Sequence, residues 1–181
     1  MIEQDQIKIF NALSFASQKH KRDRRKNKHG TPYINHPIEV VRLLVEVGGI
    51  YDADTICAAF LHDTLEDTDT TQIELEENFG AVVTGIVVEL TKDSSISSKM
   101  NKQKQIETFP FKSTEAKLIK LCDIISNITD VIYDPPVNWF RKRRLEYLDT
   151  SEKLVNGIAG TNENLEKLFF EILKKGIQLL N

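Results

Sequence analysis

Residues 118–132, LIKLCDIISNITDVI, limit the possible folds of this chain more than any other stretch. Leu118, Ile119, Leu121, Cys122, Ile124, Ile125 and Ile128 leave almost no side of a helix free for water. Asp123, Asn127 and Asp130 fall at i, i+4 and i+7, so they form one narrow polar stripe along that helix. On most amphipathic helices such a stripe faces solvent. This one is too narrow and its flanks are too apolar, so a buried or cleft position is expected. A carboxylate in such a place is costly unless something binds it.

The rest of the chain has the same period. No stretch alternates as a strand would, and helices are expected at about 5–20, from Asn35-Pro37 to Gly48-Gly49, and after Asp52 or Asp54. Another begins at Thr70 or Thr71 and stops near Phe79-Gly80, with a further one to about Leu90. Residues 92–101 read as a mobile surface loop, followed by helices at about 102–108, 114–132, 137–157 and 162–180. Asn35 is the expected cap of the second helix, with Pro37 in its first turn. The expectation is one all-α domain spanning 1–181, without repeats or linkers.

Composition bears on partners. With 27 acids against 24 bases the net charge is −3, which favours neither nucleic acid nor any other polyanion as a partner of the whole surface. The acids of MIEQDQIKIF do not suit a signal peptide, and no apolar run reaches the length of a membrane span. Cys57 and Cys122 sit among apolar residues and read as reduced core thiols. A cytoplasmic protein that binds no membrane is the expectation.

A second acid-rich stretch follows a buried run in AAFLHDTLEDTDTT, residues 58–71. His62 and Asp63 join His36 and Asp123 as a nitrogen–oxygen set without thiolates, which suits Mn²⁺, Fe²⁺ or Zn²⁺. Four protein ligands leave a six-coordinate ion room for water and a phosphoryl oxygen. Glu66 and Asp67, one turn further on, become candidates to move protons there, although surface acids are the commoner fate of such residues. The basic run from Lys19 to Lys28 ends close to His36 in sequence and would suit a small polyphosphorylated substrate; Arg141–Arg144 form a second run. His20 and His29, inside the first run, are expected to be solvated.

Taken together, RRKNKHGTPYINHP, AAFLHDTLEDTDTT, the FG at 79–80, AKLIKLCDIISNITD and EYLDTSEKLVNGIAGTN resemble the HD-domain hydrolases of the RelA/SpoT family. The resemblance runs from about Ala16 to Leu168 and is nearest to the stand-alone small alarmone hydrolases, which degrade ppGpp and pppGpp. It implies the helical HD-domain phosphohydrolase fold, with His36, His62, Asp63 and Asp123 as metal ligands and Mn²⁺ as the ion. It also implies Glu66 and Asp67 as the acids that act on water, and Arg25, Lys26 and Asn127 as contacts to a guanine nucleotide. Tyr147 and Arg143 fall where the phosphate-rich far end is lined. The implied products are GDP or GTP and pyrophosphate, and no synthetase domain is expected.

Three positions depart from the family pattern. Ile124 stands where a basic residue is common, Ser126 where His or Tyr is frequent, and Thr129 where Arg is frequent. Two alternatives therefore stay open. One is an HD phosphohydrolase for another nucleotide, such as NADPH losing its 2′ phosphate; the other is a non-catalytic nucleotide-binding module.

Overall fold

The computed structural model describes residues 3–181. Its helices are α1 (Glu3–Lys19), α2 (Asn35–Glu46), α3 (Ala53–Leu61), α4 (Thr64–Asp67), α5 (Gln72–Leu90), α6 (Ser98–Thr108), α7 (Thr114–Tyr133), α8 (Arg141–Gly157) and α9 (Glu163–Leu180). A 3-10 turn at Phe109–Phe111 joins α6 to the segment before α7. Among the described residues no strand forms; Arg24 and Pro32 make an isolated antiparallel bridge. The all-α expectation holds.

Two helices occupy the centre. Every residue of α3 from Thr55 to Leu61 is buried, and α1, α2, α5 and α7 pack around it. In α7, apolar residues from Ala116 to Ile132 are buried on nearly all sides, against α2, α5, α8 and α9. A helix that is apolar all round belongs in the interior. Asp123 and the C-terminal end of α3 are thereby carried into the core together.

The helix ends follow the sequence signals with three exceptions. Asp52 caps α3 by accepting from the Thr55 N–H (2.8 Å), and Thr71 caps α5 by accepting from the Glu74 N–H (3.1 Å). The expected break at Phe79-Gly80 is a kink, with Gly80 at φ 85°. Asn35, however, does not cap α2. Tight turns bring the Asn35 and His36 N–H groups to the carbonyls of Pro32 and Tyr33, so Ile34 is already helical and Asn35 is the first helical residue. Helix α6 starts at Ser98, inside the stretch expected as a mobile loop. Ser97 caps it, and buried Asn101 ties it to both backbone groups of Asp93. Helix α8 starts later than expected, at Arg141, because residues up to the extended Phe140 form a turn.

The turn from α2 to α3 fixes where His36 and His62 can meet. Gly49 takes φ 69°, and the Ile50 N–H reaches back to the Leu44 carbonyl (3.1 Å). Asn162, the cap of α9, donates to the Gly48 carbonyl (3.0 Å). A Cβ on Gly48 would lie 2.6 Å from the same Leu44 carbonyl oxygen, which is backbone and cannot rotate away. Gly48→Ala should therefore cost about 1–3 kcal/mol. Gly85→Ala, in the exposed middle of α5 with nothing near its Cβ, should instead stabilise by about 0.4–1 kcal/mol. Thermal unfolding of both variants checks the contrast, and similar melting temperatures would refute it.

Candidate metal centre and substrate cavity

His36 lies in the first turn of α2, His62 directly follows α3, and Asp123 is midway along α7. All three are buried, and one ligand atom from each falls within 4.8 Å of the others. His36 Nε2 is 3.2 Å from Asp123 Oδ1 and 3.8 Å from Asp63 Oδ2. His62 Nε2 is 3.0 Å from Asp63 Oδ2. The four residues expected as ligands are thus brought together from three elements.

The far sides of the two imidazoles are held. His62 Nδ1 donates to the Ala59 carbonyl (2.8 Å), so in the neutral ring Nε2 carries the free lone pair. His36 Nδ1 is 3.0 Å from Ser126 Oγ, both groups being buried. Partners on the second ring nitrogen are what orient histidine ligands. His62 Nε2 is itself buried and makes no hydrogen bond, despite its closeness to Asp63. An orphaned imidazole nitrogen facing a second imidazole and two carboxylates fits a first-row divalent cation.

Without an ion, charge in this centre is balanced internally. Burial opposes a charge on His62, yet Asp63 and Asp123 outweigh it and push the imidazole up to about 9. Burial likewise opposes the Asp63 carboxylate, and His62 overcomes this and holds it low. Asp123 is also held well below the usual carboxylate range, with Lys120 and His36 outweighing burial. Lys120 Nζ lies 2.9 Å from Asp123 Oδ2, a pair that is almost wholly enclosed.

Glu66 and Asp67 lie on the single turn α4. Tyr33 Oη donates to Asp63 Oδ2 at 2.5 Å and lies 3.4 Å from Asp67 Oδ2, so one hydroxyl bridges both acids. The Asp67 carboxyl, at the rim, is raised by partial desolvation and by repulsion from Asp63 and Glu66. Glu66 Oε1 instead accepts from Lys92 Nζ at 2.6 Å. Neighbouring carboxylates in the chain thus have opposite surroundings.

A cavity of about 590 Å³ opens beside these groups, lined by residues 22–27, Tyr33, Glu66, Asp67, Lys92, Asn127, Asp130, Trp139 and Tyr147 among others. Tyr33 and Asn127 connect this lining to the buried centre, since Asn127 Nδ2 donates to Asp123 Oδ1 (2.5 Å). The polar stripe of α7 is thus graded, with Asp123 buried below and Asn127 and Asp130 facing the cavity. Arg25 donates through Nε and Nη2 to Asp130 (3.0 and 2.5 Å) and through Nη2 to Asn127 Oδ1 (2.8 Å). Nε and Nη2 are thus engaged, and the Nη1 donors and the guanidinium face away from Tyr33 are what remain for a ligand.

Lys26 is exposed on the wall, and Tyr147 projects from α8 with its ring 5.4 Å from that of Trp139. Arg143 does not line this cavity. It lies over the Trp139 ring (4.4 Å) and lines a smaller depression on the side of Lys102 and Lys142.

Sequence reasoning missed several of these groups. Tyr33 lies inside RRKNKHGTPYINHP, where nothing local marks it as a contact of Asp63. Lys92 falls in the stretch expected as a surface loop, and Trp139, the one tryptophan, sits in an irregular segment without periodicity. His20 is a correction. It is fully buried, bonds Asp23 through Nδ1 (2.8 Å) and stacks on Tyr33 (4.8 Å), so it is not solvated. The charged residues around it hid a helix end that turns inward. His29 is exposed, and both cysteines are buried and free, as expected.

The departures in α7 are also explained. Ile124 is 4% exposed and packs in the core, where a basic side chain would have no access to the cavity. Thr129 bonds the Ile125 carbonyl of its own helix.

Comparison with known proteins gives a consistent picture. Residues 12–136 match the HD domain family. Over 167 residues the chain is 42% identical to mouse guanosine-3′,5′-bis(diphosphate) 3′-pyrophosphohydrolase MESH1, covering 92% of this chain and 93% of that protein. The human protein of the same name is equally similar, at 42%. A longer Aquifex aeolicus guanosine-3′,5′-bis(diphosphate) 3′-pyrophosphohydrolase is 34% identical over 88% of this chain, which spans 27% of its length. A solved structure described as a metazoan ortholog of SpoT that hydrolyses ppGpp superposes with a TM-score of 0.90 at 39% identity, over 93% of this chain and 94% of the other.

The Asp123–Lys120 pair decides which variant tests the centre. Asp123→Ala would strand a buried ammonium, at a cost of about 3–5 kcal/mol. Asp123→Asn removes the anionic ligand with less damage, and it should abolish Mn²⁺ binding while the helical circular dichroism persists. In the wild type, binding should tighten as pH rises towards about 9, because the ion must displace the His62 proton. Calorimetry in buffers of different ionisation enthalpy reads that proton release; Mn²⁺ binding without any would contradict the assignment.

Proposed function

Because this chain belongs to the HD domain family, and within it to the MESH1-type guanosine-3′,5′-bis(diphosphate) 3′-pyrophosphohydrolases, we propose that it hydrolyses ppGpp and pppGpp at the 3′ diphosphate, giving GDP or GTP and pyrophosphate. The observation that carries this is the buried His36–His62–Asp123 cluster, with Asp63 Oδ2 3.0 Å from His62 Nε2, beside a cavity whose rim holds two acids and whose wall holds a run of cations. The buried, unbonded Nε2 of His62, 3.0 Å from Asp63 and facing a second imidazole, supports a metal-dependent enzyme over a pure binding module.

His36, His62, Asp63 and Asp123 would hold a single divalent ion, for which Mn²⁺ is our choice. When bound, such an ion supplies Lewis acidity towards a phosphoryl oxygen and towards water. The protein's own groups do the rest. Water attacks the phosphorus attached to the ribose 3′ oxygen, and the bond between that phosphorus and that oxygen breaks. Glu66 accepts the proton of the attacking water. Asp67, whose surroundings favour its protonated form, gives a proton to the departing 3′ oxygen, a poor leaving group as an alkoxide. The face of Arg25, the Trp139–Tyr147 pair and Asn127 hold the nucleotide, with Lys26 serving its outer phosphates and Arg143 backing the Trp139 ring from outside the cavity. The free buried Cys57 and Cys122 favour a reducing cytoplasmic setting for this reaction.

Glu66→Gln should lower kcat by about 10²–10⁴-fold while metal and nucleotide still bind. Arg25→Ala should act chiefly on KM, since it lies on the nucleotide wall. Steady-state kinetics with ppGpp and Mn²⁺ tests both, and a reversed pattern would contradict the roles. The mechanism itself is tested in water enriched in heavy oxygen, with both products read by mass spectrometry. Label is expected in pyrophosphate and none in the new 3′ hydroxyl. Free phosphate as first product, from ppGpp or from NADPH run in parallel, would favour a monophosphatase instead.

A further inference from the structure

One cation stands apart from the motif residues. Lys92 directly follows the residue that caps α5 and reaches Glu66 Oε1 at 2.6 Å. Every other basic side chain lining the main cavity comes from the single segment 22–26, and the best placed of these, Arg25, is engaged by Asp130 and Asn127. Lys92 is therefore the cation that lines the cavity from the side of the acids. Its ammonium has three donors and spends one on Glu66.

Lys92 also lines a second cavity, of about 390 Å³, between the end of α5 and α6. Lys104 and Lys112 share that lining. The acids there are engaged: Glu89 Oε2 accepts from the Ser113 N–H, and Asp93 takes Ser95 and Lys104. Lys112 donates to the Glu89 backbone carbonyl, and its pKa is lowered by burial and by Lys120 and Lys104, against the pull of Glu89. Lys104 and Lys112 thus stand behind Lys92, matched by the carboxylates of Glu89 and Asp93.

The reaction proposed above leaves a pyrophosphate whose outer phosphate must lie beyond the attacked phosphorus, next to the acids. We propose that Lys92 holds this outer phosphate and so makes the site select a diphosphate over a monophosphate. This rests on that reading of the function and deepens it. A phosphate oxygen that takes over Lys92 also frees Glu66 Oε1 for the attacking water. Occupancy of the diphosphate and readiness of the base are then coupled through one ammonium.

The test is binding of inorganic pyrophosphate and of inorganic phosphate to the Mn²⁺-loaded protein, by calorimetry. Lys92→Gln should weaken pyrophosphate by about 10–100-fold, the range of one hydrogen bond to a charged group, and barely change phosphate; Lys92→Arg should keep most of the affinity. On the wild type, pyrophosphate should protect Lys92 from acylation while exposed Lys99 on α6 stays reactive, a readout that needs no variant. With ppGpp, Lys92→Gln should raise KM. Unchanged pyrophosphate affinity with kcat alone reduced would mean that Lys92 only positions Glu66 and would overturn the proposal, as would equal losses for both anions or no protection of Lys92. If the wild type turns over no alarmone, the functional reading fails, while pyrophosphate binding still decides whether Lys92 is an anion contact.

Discussion

The cost of taking two carboxylates and two imidazoles out of water governs much of this structure. Left alone in an apolar interior, each would change protonation or unfold its surroundings. Asp123 is set in the middle of α7, among side chains that are otherwise buried and apolar. It persists there because Lys120, one turn earlier, brings an ammonium to one oxygen and Asn127, one turn later, donates to the other. Asp63 is held in the same way by Tyr33 Oη, and the rings of His36 and His62 by Ser126 and the Ala59 carbonyl. Each imidazole presents Nε2 to the centre because its Nδ1 is engaged elsewhere, while Asp63 Oδ2 and Asp123 Oδ1 face the rings and also accept from Tyr33 and Asn127.

That arrangement requires specific local structure. Tyr33 can reach Asp63 only because the segment after α1 folds back on itself, with Arg25 N–H on the Thr31 carbonyl and Tyr33 N–H on the Asp23 carbonyl. Gly30, at φ 56°, permits the reversal. Buried His20 stacks under Tyr33 and fixes the ring from below. The same reversal swings residues 22–26 over the cavity. One loop therefore supports a ligand and supplies the cationic wall, which explains why a strongly basic stretch contains a fully enclosed histidine.

What the sequence made legible follows from this division. Helical period identified α3 and α7 as central, since burial on all sides leaves its mark in apolar residues. The narrow stripe of Asp123, Asn127 and Asp130 pointed to the centre because it interrupted that mark. The start of α6 was not legible: Ser97 and Asn101 hold it through hydrogen bonds, and its outer face carries no apolar period. Asn35 looked like a cap because its residue type suits one, yet the turn at Pro32–Tyr33 had already set the backbone helical. Lys92 and Trp139 were missed for a common reason. Their roles depend on what α4 and α8 bring to them across the fold, and no local pattern encodes that.

The acid pair shows how far environment separates chemically similar neighbours. Glu66 and Asp67 share one turn of helix, but only Glu66 meets an ammonium, while Asp67 meets Asp63 and loses solvent. An acid paired with an ammonium beside an acid whose pKa is raised matches the base and acid roles proposed for the two. Tyr33 adds a constraint, because its hydroxyl is a single donor shared unequally between Asp63 at 2.5 Å and Asp67 at 3.4 Å. Burial and the surrounding carboxylates push its own pKa far up, so it stays a donor throughout the working range of pH. Its proton goes mainly to Asp63, and Asp67 receives only the longer contact. The residue that steadies a ligand of the centre thereby gives the neighbouring acid little help towards its charged form, in keeping with the raised pKa of Asp67.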